Sequence, residues 1–250
     1  MPSSYYNNKS VIVTGSSRGI GAAIAARLAK DGFAVLVNYA GRAAEADSVV
    51  DQIKKDGGKT IAVQGDVSSP SDTTKLFDEC EKAFGGVDAI INNAGIIQPG
   101  LTNLVDTDDA LFDRIIAINL KGTFNTMRLA AKRLRKGGRI VNFSSSVIGL
   151  GLPGYSVYSG TKSAVETMTN VFAKEMRGKD ISVNAVAPGP VATELFLKGK
   201  TDEQITHLAK LNPMERLGQP NDIAGVVSFL VGPEGGWING QTLRANGGMV

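Results

Sequence analysis

The chain has 250 residues, with 27 Lys and Arg against 24 Asp and Glu, a net charge of +3. That length suits one large α/β domain with a substantial core, spanning 1–250, and so slight and even a charge argues against nucleic acid or an anionic membrane as partner. A single cysteine, Cys80, and a single histidine, His207, exclude an internal disulfide and a Cys or His metal cluster, so no metal is expected and a reducing compartment, most simply cytoplasmic, fits.

In chain order, the opening Met1-Pro2-Ser3-Ser4-Tyr5-Tyr6-Asn7-Asn8 is polar and lacks an apolar signal core. Val11-Ile12-Val13 is a short apolar run that reads as a buried strand. Ile20, Ile24 and Leu28 then share one helical face, with Gly32 as a stop. Ala34 to Val37 predicts a second strand, Ala43 to Lys55 a helix, and Ile61 to Val63 a third strand. Pro70 to Phe84 predicts a helix that Ser68 or Ser69 could cap and Gly85-Gly86 ends. Ala89 to Ile91 is a fourth strand, followed by helices from about Thr107 to Leu134. Arg139 to Phe143 and Ile181 to Val186 predict strands on either side of a helix over Val157 to Met176. The segment 194–212 carries one or two helices, Pro220 to Leu230 another, and Gln241 to Leu243 a last strand. No apolar run is long enough to span a bilayer. Strands alternating with helices imply a seven-stranded, mainly parallel, Rossmann-type doubly wound sheet with helices on both faces.

After the first strand comes Thr14-Gly15-Ser16-Ser17-Arg18-Gly19-Ile20-Gly21. Its three glycines let the backbone turn tightly and approach a pyrophosphate, and the helix N-terminus offers N–H groups and a positive dipole. The spacing is G-x-x-x-G-x-G rather than G-x-G-x-x-G. The second strand ends in Asn38-Tyr39-Ala40-Gly41-Arg42, without the acid that holds a ribose 2′-hydroxyl in NAD sites. Arg18 and Arg42 stand ready for a 2′-phosphate, so NADP(H) is the preferred cofactor, with NAD(H) the alternative and a solvated Arg42 the plainer one. Asp66-Val67 and Asn93-Ala94-Gly95 follow the third and fourth strands, at carboxyl ends where open α/β sheets bind ligands. Asp66 can accept a hydrogen bond from an adenine amino group, and Asn93 to Gly95 can let the backbone run close to the cofactor.

Tyr158 and Lys162 lie four apart in a helical pattern and so share a face. An ammonium beside a phenol favours the phenolate and lowers the phenol's pKa from about 10. The pair is thereby a candidate general acid/base.

Taken together, these residues resemble the classical short-chain dehydrogenases/reductases over nearly the whole chain. The resemblance rests on Thr14-Gly15-x-x-x-Gly19-x-Gly21, Asn92-Asn93-Ala94-Gly95, Asn119, Ser144-Ser145-Ser146, Tyr158-x-x-x-Lys162 and Pro188-Gly189. It implies that Tyr158 protonates a carbonyl oxygen during reduction, while Lys162 lowers its pKa and binds the nicotinamide ribose. It assigns Ser145 a hydrogen bond to the substrate oxygen, with the choice among the three serines resting on spacing. Asn119 is implied to hold a water that continues the proton path from Lys162. Pro188, Gly189, Val191 and Thr193 are implied beside the nicotinamide, with Val191 and Thr193 near its carboxamide. One departure stands out: the basic residue that NADP-dependent relatives often carry soon after the second strand is not at Ala40, and Arg42 comes two residues later.

Substrate specificity is expected in Ile96-Ile97-Gln98, in the loop from Val147 to Leu152, and in Leu195-Phe196-Leu197 with the helix after it. Ile97, Val147, Leu152, Leu195 and Phe196 make this end apolar and favour a ketone with hydrophobic groups. Gly149, Gly151 and Gly154 suggest a mobile rim. Relatives are often homotetramers joined through the helices carrying Asn119 and Tyr158, and Thr167, Met168, Val171 and Phe172 supply apolar surface for this. The resulting expectation is an NADP(H)-dependent oxidoreductase for a ketone/alcohol pair. A 3-oxoacyl-thioester reductase, a sugar or polyol dehydrogenase, and a non-catalytic dinucleotide sensor are the alternatives.

Overall fold

The computed structural model describes Tyr6 and residues 8–250, so most of the polar opening stretch, residues 1–5 and 7, lies outside the description. Seven strands form one parallel sheet in the order β3-β2-β1-β4-β5-β6-β7. They are β1 (Ser10–Val13), β2 (Ala34–Tyr39), β3 (Thr60–Gln64), β4 (Val87–Asn92), β5 (Leu134–Phe143), β6 (Ser182–Pro188) and β7 (Thr242–Ala245). The helices between them are α1 (Gly19–Asp31), α2 (Ala43–Lys55), α3 (Pro70–Phe84), α4 (Asp109–Ile115), α5 (Gly122–Arg133), α6 (Val147–Leu150), α7 (Ser156–Glu175), α8 (Glu194–Leu197), α9 (Asp202–Ala209) and α10 (Pro220–Val231). None of the described helices is long and apolar enough to cross a membrane.

The side-chain period of two assigns the core. Val11, Val13, Val35 and Val37 face one side and pack with Ile24 and Leu28 of α1 and Ile223, Val227 and Leu230 of α10. Ile12, Leu36, Ile90, Ile140 and Val183 face the other, against Leu76, Phe77 and Cys80 of α3 and Met127 and Ala130 of α5. Strands buried on both faces read as continuous β-branched runs, which is what makes these segments conspicuous. The strand order reverses between β1 and β4, so the chain leaves both strands into one crevice at their carboxyl ends.

Three local features differ from expectation. The strand expected from Arg139 begins at Leu134, because Val87 pairs with Leu134 before a register shift lets Ala89 pair with Arg139. The intervening bulge turns at Gly137, whose φ is 81°. The helical run expected from Thr107 to Leu134 starts at Asp109, where the Asp108 carboxylate accepts from the Leu111 N–H, and is interrupted by a π-helical turn, Ile116–Lys121. The loop expected over Val147 to Leu152 is helical over Val147–Leu150 and closes at Gly151 in the left-handed region, φ 59°.

A polar strut crosses the buried sheet below the crevice. The Asn92 side chain donates to Asn142 Oδ1 at 2.7 Å, and Asn142 donates in turn to the Thr169 hydroxyl of α7 at 2.8 Å. Removing one partner of a buried hydrogen bond strands the other. Asn142→Ala should therefore lower unfolding free energy by about 1–3 kcal/mol in urea titration, and a loss below a few tenths of a kcal/mol would show the strut to be dispensable.

Candidate active site

The crevice is built first by the turn after β1. Thr14 donates its backbone N–H to Ile91 O at 3.0 Å, and its hydroxyl accepts the Ala94 N–H at 3.0 Å. Asn93 donates to Thr14 O and Gly15 O at 2.9 and 3.0 Å. The loops after β1 and β4 are thus sewn together. Gly15 takes φ 61°, and a Cβ there would lie 2.8 Å from Ala94 Cα. A Cβ on Gly21 would lie 2.5 Å from Gly15 O and 2.6 Å from Asn93 Nδ2, so the helix start can approach only as glycine. At the start of α1, Arg18 makes no side-chain cap and the first turn holds no acid. The early N–H groups of α1, among them those of Gly19, Ile20 and Gly21, have no acceptor within a helix. Ser17, half-buried, lies in the same turn.

Several expected cofactor residues also hold the turn in place. Asn38 is buried, accepts the Gly15 N–H at 3.1 Å, and donates to Gly65 O at 2.9 Å and Val63 O at 3.3 Å. With both polar atoms of its side chain engaged by backbone, it braces β2 against the glycine-rich turn. Val67 is likewise buried; its carbonyl accepts from Asn125 at 3.0 Å, and its side chain packs where Gly122 has none. Asp66 is exposed and accepts from the Ser68 N–H and hydroxyl, both at 2.8 Å. Arg18 pairs with Glu194, and Arg42 with Glu45 at 3.0 Å.

The three consecutive serines have three different attachments. The Ser144 hydroxyl donates to the Glu166 carboxylate of α7 at 2.6 Å. The Ser146 hydroxyl donates to Ala187 O at 3.0 Å and accepts from the Asn246 amide at 2.9 Å. Ser145 accepts the Val147 N–H at 3.3 Å, and its hydroxyl lies close enough to the Tyr158 phenol to favour the phenolate. Of the three, Ser145 is therefore the one whose hydroxyl meets Tyr158. Lys162 is buried and donates to Phe143 O, the end of β5, at 2.8 Å. Its Nζ lies 5.7 Å from the centre of the Tyr158 ring. Asn119 sits fully buried in the π-helical turn, accepting the Ile96 N–H at 2.8 Å and donating to Ile96 O at 2.9 Å. A Cβ on Gly95 would come within 3.3 Å of Asn119 Oδ1 and 3.6 Å of Lys162 Nζ, so these two groups border the same small space.

Burial dominates the electrostatics of the pair in the cofactor-free chain. Burial pushes Tyr158 up to about 12, with the Ser145 hydroxyl opposing and Tyr155 adding to the rise. Burial pushes Lys162 down to about 8. Desolvation penalises both charged forms. Lys162 aims its ammonium at a backbone carbonyl, not at the phenol oxygen. Without cofactor, Tyr158 is thus a neutral hydroxyl and a proton donor.

On the substrate side, Val147 is buried at the start of α6. Ile97 is half-buried, while Leu152 and Leu195 are exposed and Phe196 is half-buried with Lys200 Nζ over its ring at 4.5 Å. Gly149 packs on Val250, whose side chain lies 3.0 Å from where its Cβ would be, so this part of the rim is braced. Val191 is buried and pairs as an isolated bridge with Gly218; Thr193 caps α8 by accepting the Phe196 N–H at 3.3 Å. Pro188 O accepts from Ser146, and Gly189 N–H donates to Ala245 O. Two supporting residues, Glu166 and Asn246, were missed from sequence, and Gln98, expected in the specificity segment, is buried and donates its side-chain amide to Gly154 O at 2.5 Å. Glu166 had a signal, since it lies four and eight residues beyond Lys162 and Tyr158 on one helical face.

Lys162 is charged below its pKa, so its ammonium disappears as pH rises through about 8. Between there and 10.5 the folded chain binds fewer protons than the unfolded one, and this group's contribution to stability rises with pH. Carbon-13 labelling of lysine Cε in the cofactor-free protein should show one resonance titrating near pH 8 that vanishes in Lys162→Arg. A value above 10 would contradict the burial argument.

Comparison with known proteins agrees with this geometry. A family model described as Enoyl-(Acyl carrier protein) reductase matches residues 15–250. The chain is 43% identical over 247 residues to a short-chain type dehydrogenase/reductase of Picea abies, covering 96% of this chain and 91% of that one. It is 44% identical over 252 residues to NADPH-dependent aldehyde reductase 2, chloroplastic, of Arabidopsis thaliana, covering 96% and 93%. Among solved structures, a short-chain dehydrogenase from Burkholderia cenocepacia in complex with NADP superposes with a TM-score of 0.91 at 35% identity, covering 98% and 99%. With a parallel seven-stranded sheet, a glycine-rich turn at its switch point and Tyr158 above Lys162 on one helix, the chain belongs to the classical short-chain dehydrogenase/reductase family.

Proposed function

We propose that the chain interconverts a ketone and a secondary alcohol with NADP(H), Tyr158 acting as general acid in reduction and general base in the reverse direction. The single observation that carries this is the Ser145–Tyr158 hydroxyl pair set over the buried Lys162 at the carboxyl edge of the sheet. The residues fit a dinucleotide. The uncapped start of α1, free of acids, and the glycine-rich turn suit a pyrophosphate. The end of β2 carries no acid to repel a 2′-phosphate, and Arg18 and Arg42 can pair with one. The relative from Arabidopsis thaliana named as NADPH-dependent and the NADP complex from Burkholderia cenocepacia support that choice.

When bound, the nicotinamide supplies the hydride. The chain supplies position and a proton. Ser145 and Tyr158 present two hydroxyls to one oxygen and stabilise the charge that grows there. Tyr158, kept neutral by burial, gives its proton. Lys162 is placed to replace the proton through Asn119, across the space that Gly95 leaves open. The apolar Leu152, Leu195 and Phe196 favour a hydrophobic ketone over a sugar or polyol. The chain is proposed to act as one unit over 1–250, with 194–212 as its substrate side.

Two further proposals concern setting. Val171 of α7 and Phe124 of α5 stay 49% and 44% exposed, which supports assembly of copies through these helices into a homotetramer. The lone Cys80 is buried, its thiol pushed up to about 11, and so needs no oxidising compartment, which supports a cytoplasmic site of action.

Tyr158→Phe should keep cofactor binding and lower kcat by about 10²–10⁴-fold, the usual worth of a positioned acid; activity within tenfold of the parent would overturn the mechanism. In a screen of apolar ketones, kcat/KM with NADPH should exceed that with NADH by at least about tenfold, the factor that 1.4 kcal/mol supplies. Equal values would remove the case for the 2′-phosphate.

A further inference from the structure

Arg18 and Arg42 both carry counter-ions before any ligand arrives. Arg42 pairs with Glu45, three residues on in the first turn of α2. Arg18 pairs with Glu194, 176 positions away at the start of α8. The arginines hold both carboxyls below the ordinary carboxylate range: Arg18 chiefly for Glu194, Arg42 after a backbone hydrogen bond for Glu45. Each carboxylate also feels the other arginine, so the four groups form one electrostatic cluster of near-zero net charge. A dianionic 2′-phosphate cannot share an Arg18 already paired with a carboxylate without like-charge repulsion.

The two pairs differ in what they hold. Arg42–Glu45 lies within one helix turn, so breaking it moves nothing else. Arg18–Glu194 joins the phosphate-binding turn to the short helix that bears Leu195 and Phe196. The same two segments also touch where Gly19 lies against Thr193, whose Cγ2 is 3.4 Å from the place of a Cβ. Thr193 caps α8, and Lys200 donates to Phe196 O, so α8 moves with 193–200 as a piece. We propose that Glu194 is the ion the cofactor's 2′-phosphate displaces from Arg18, and that this displacement unlatches the helix carrying Leu195 and Phe196 on the substrate side. Glu194 is then a specificity-determining residue: it tempers affinity for the phosphorylated cofactor and reports its arrival to the substrate. The inference rests on the NADP(H) reading above.

Fragments of the cofactor test it without turnover. Adenosine 2′,5′-bisphosphate and adenosine 5′-phosphate are titrated calorimetrically into the full chain, and amide hydrogen exchange is followed over 194–209. The parent should bind the bisphosphate more tightly, and only the bisphosphate should speed exchange at Phe196, Leu197 and Lys198. Glu194→Gln should bind the bisphosphate about two- to fivefold more tightly, the most an exposed ion pair is worth. It should bind the monophosphate as the parent does and exchange α8 quickly without ligand. Glu45→Gln, which frees Arg42 alone, should leave α8 exchange at the parental rate. Unchanged or weaker bisphosphate binding by Glu194→Gln, with the parent still preferring the bisphosphate, would sink the latch and leave the NADP(H) reading standing. Equal loosening of α8 by Glu45→Gln would also sink it, as a general charge effect. Equal binding of the two fragments by the parent would overturn both readings together.

Discussion

The hydrogen bond from Lys162 to the carbonyl of Phe143 is the contact around which the site is arranged. An ammonium withdrawn from water must find an acceptor, and the end of β5 provides one in the Phe143 carbonyl. Meeting that demand fixes the height of α7 over the sheet. It thereby fixes where Tyr158 stands one turn earlier and where Glu166 stands one turn later. It also demands thin neighbours, which is why Gly95 passes beside it without a side chain. The cost of burial is written into both titrating groups, the phenol raised and the ammonium lowered.

The serine run shows how one short peptide can serve three masters. Ser144 ties it to α7, Ser146 ties it to β6 and to Asn246 after β7, and Ser145 is left facing Tyr158. The outer two contacts make the middle hydroxyl rigid, and a rigid donor is what a charge-developing oxygen requires. On the nucleotide side Thr14, Asn38 and Asn93 do comparable work, using their side chains to hold backbone so that glycines can come close.

The sheet was legible because strands buried on both faces leave continuous apolar runs, and the glycine-rich turn was legible because only glycine tolerates its backbone. Helix α3 was legible to its ends through the Ser69 cap and Gly85 stop. The start of β5 was not, because Leu134 to Gly138 runs two charges and then two glycines, which no strand period describes. The acceptor of Lys162 was not legible for a different reason. Spacing along a helix brings two side chains near each other but does not say which acceptor the longer one will reach. Asn38 sits at the strand end where a ligand residue is expected, and only the three-dimensional packing shows that its carboxamide also turns inward to brace backbone. The pairing of Arg18 with Glu194 spans most of the chain and leaves no periodic trace at all.

The π-helical turn at Ile116–Lys121 has a consequence for how this chain can vary. Its wider ring accommodates one residue more than an α-helical turn does, and each residue turns a helix by about 100°. Losing any one residue between Phe112 and Phe124 would restore a regular helix and swing Asn119 away from Ile96. In genetic terms, this stretch should tolerate no single-codon deletion, and lineages that keep the site must keep its length.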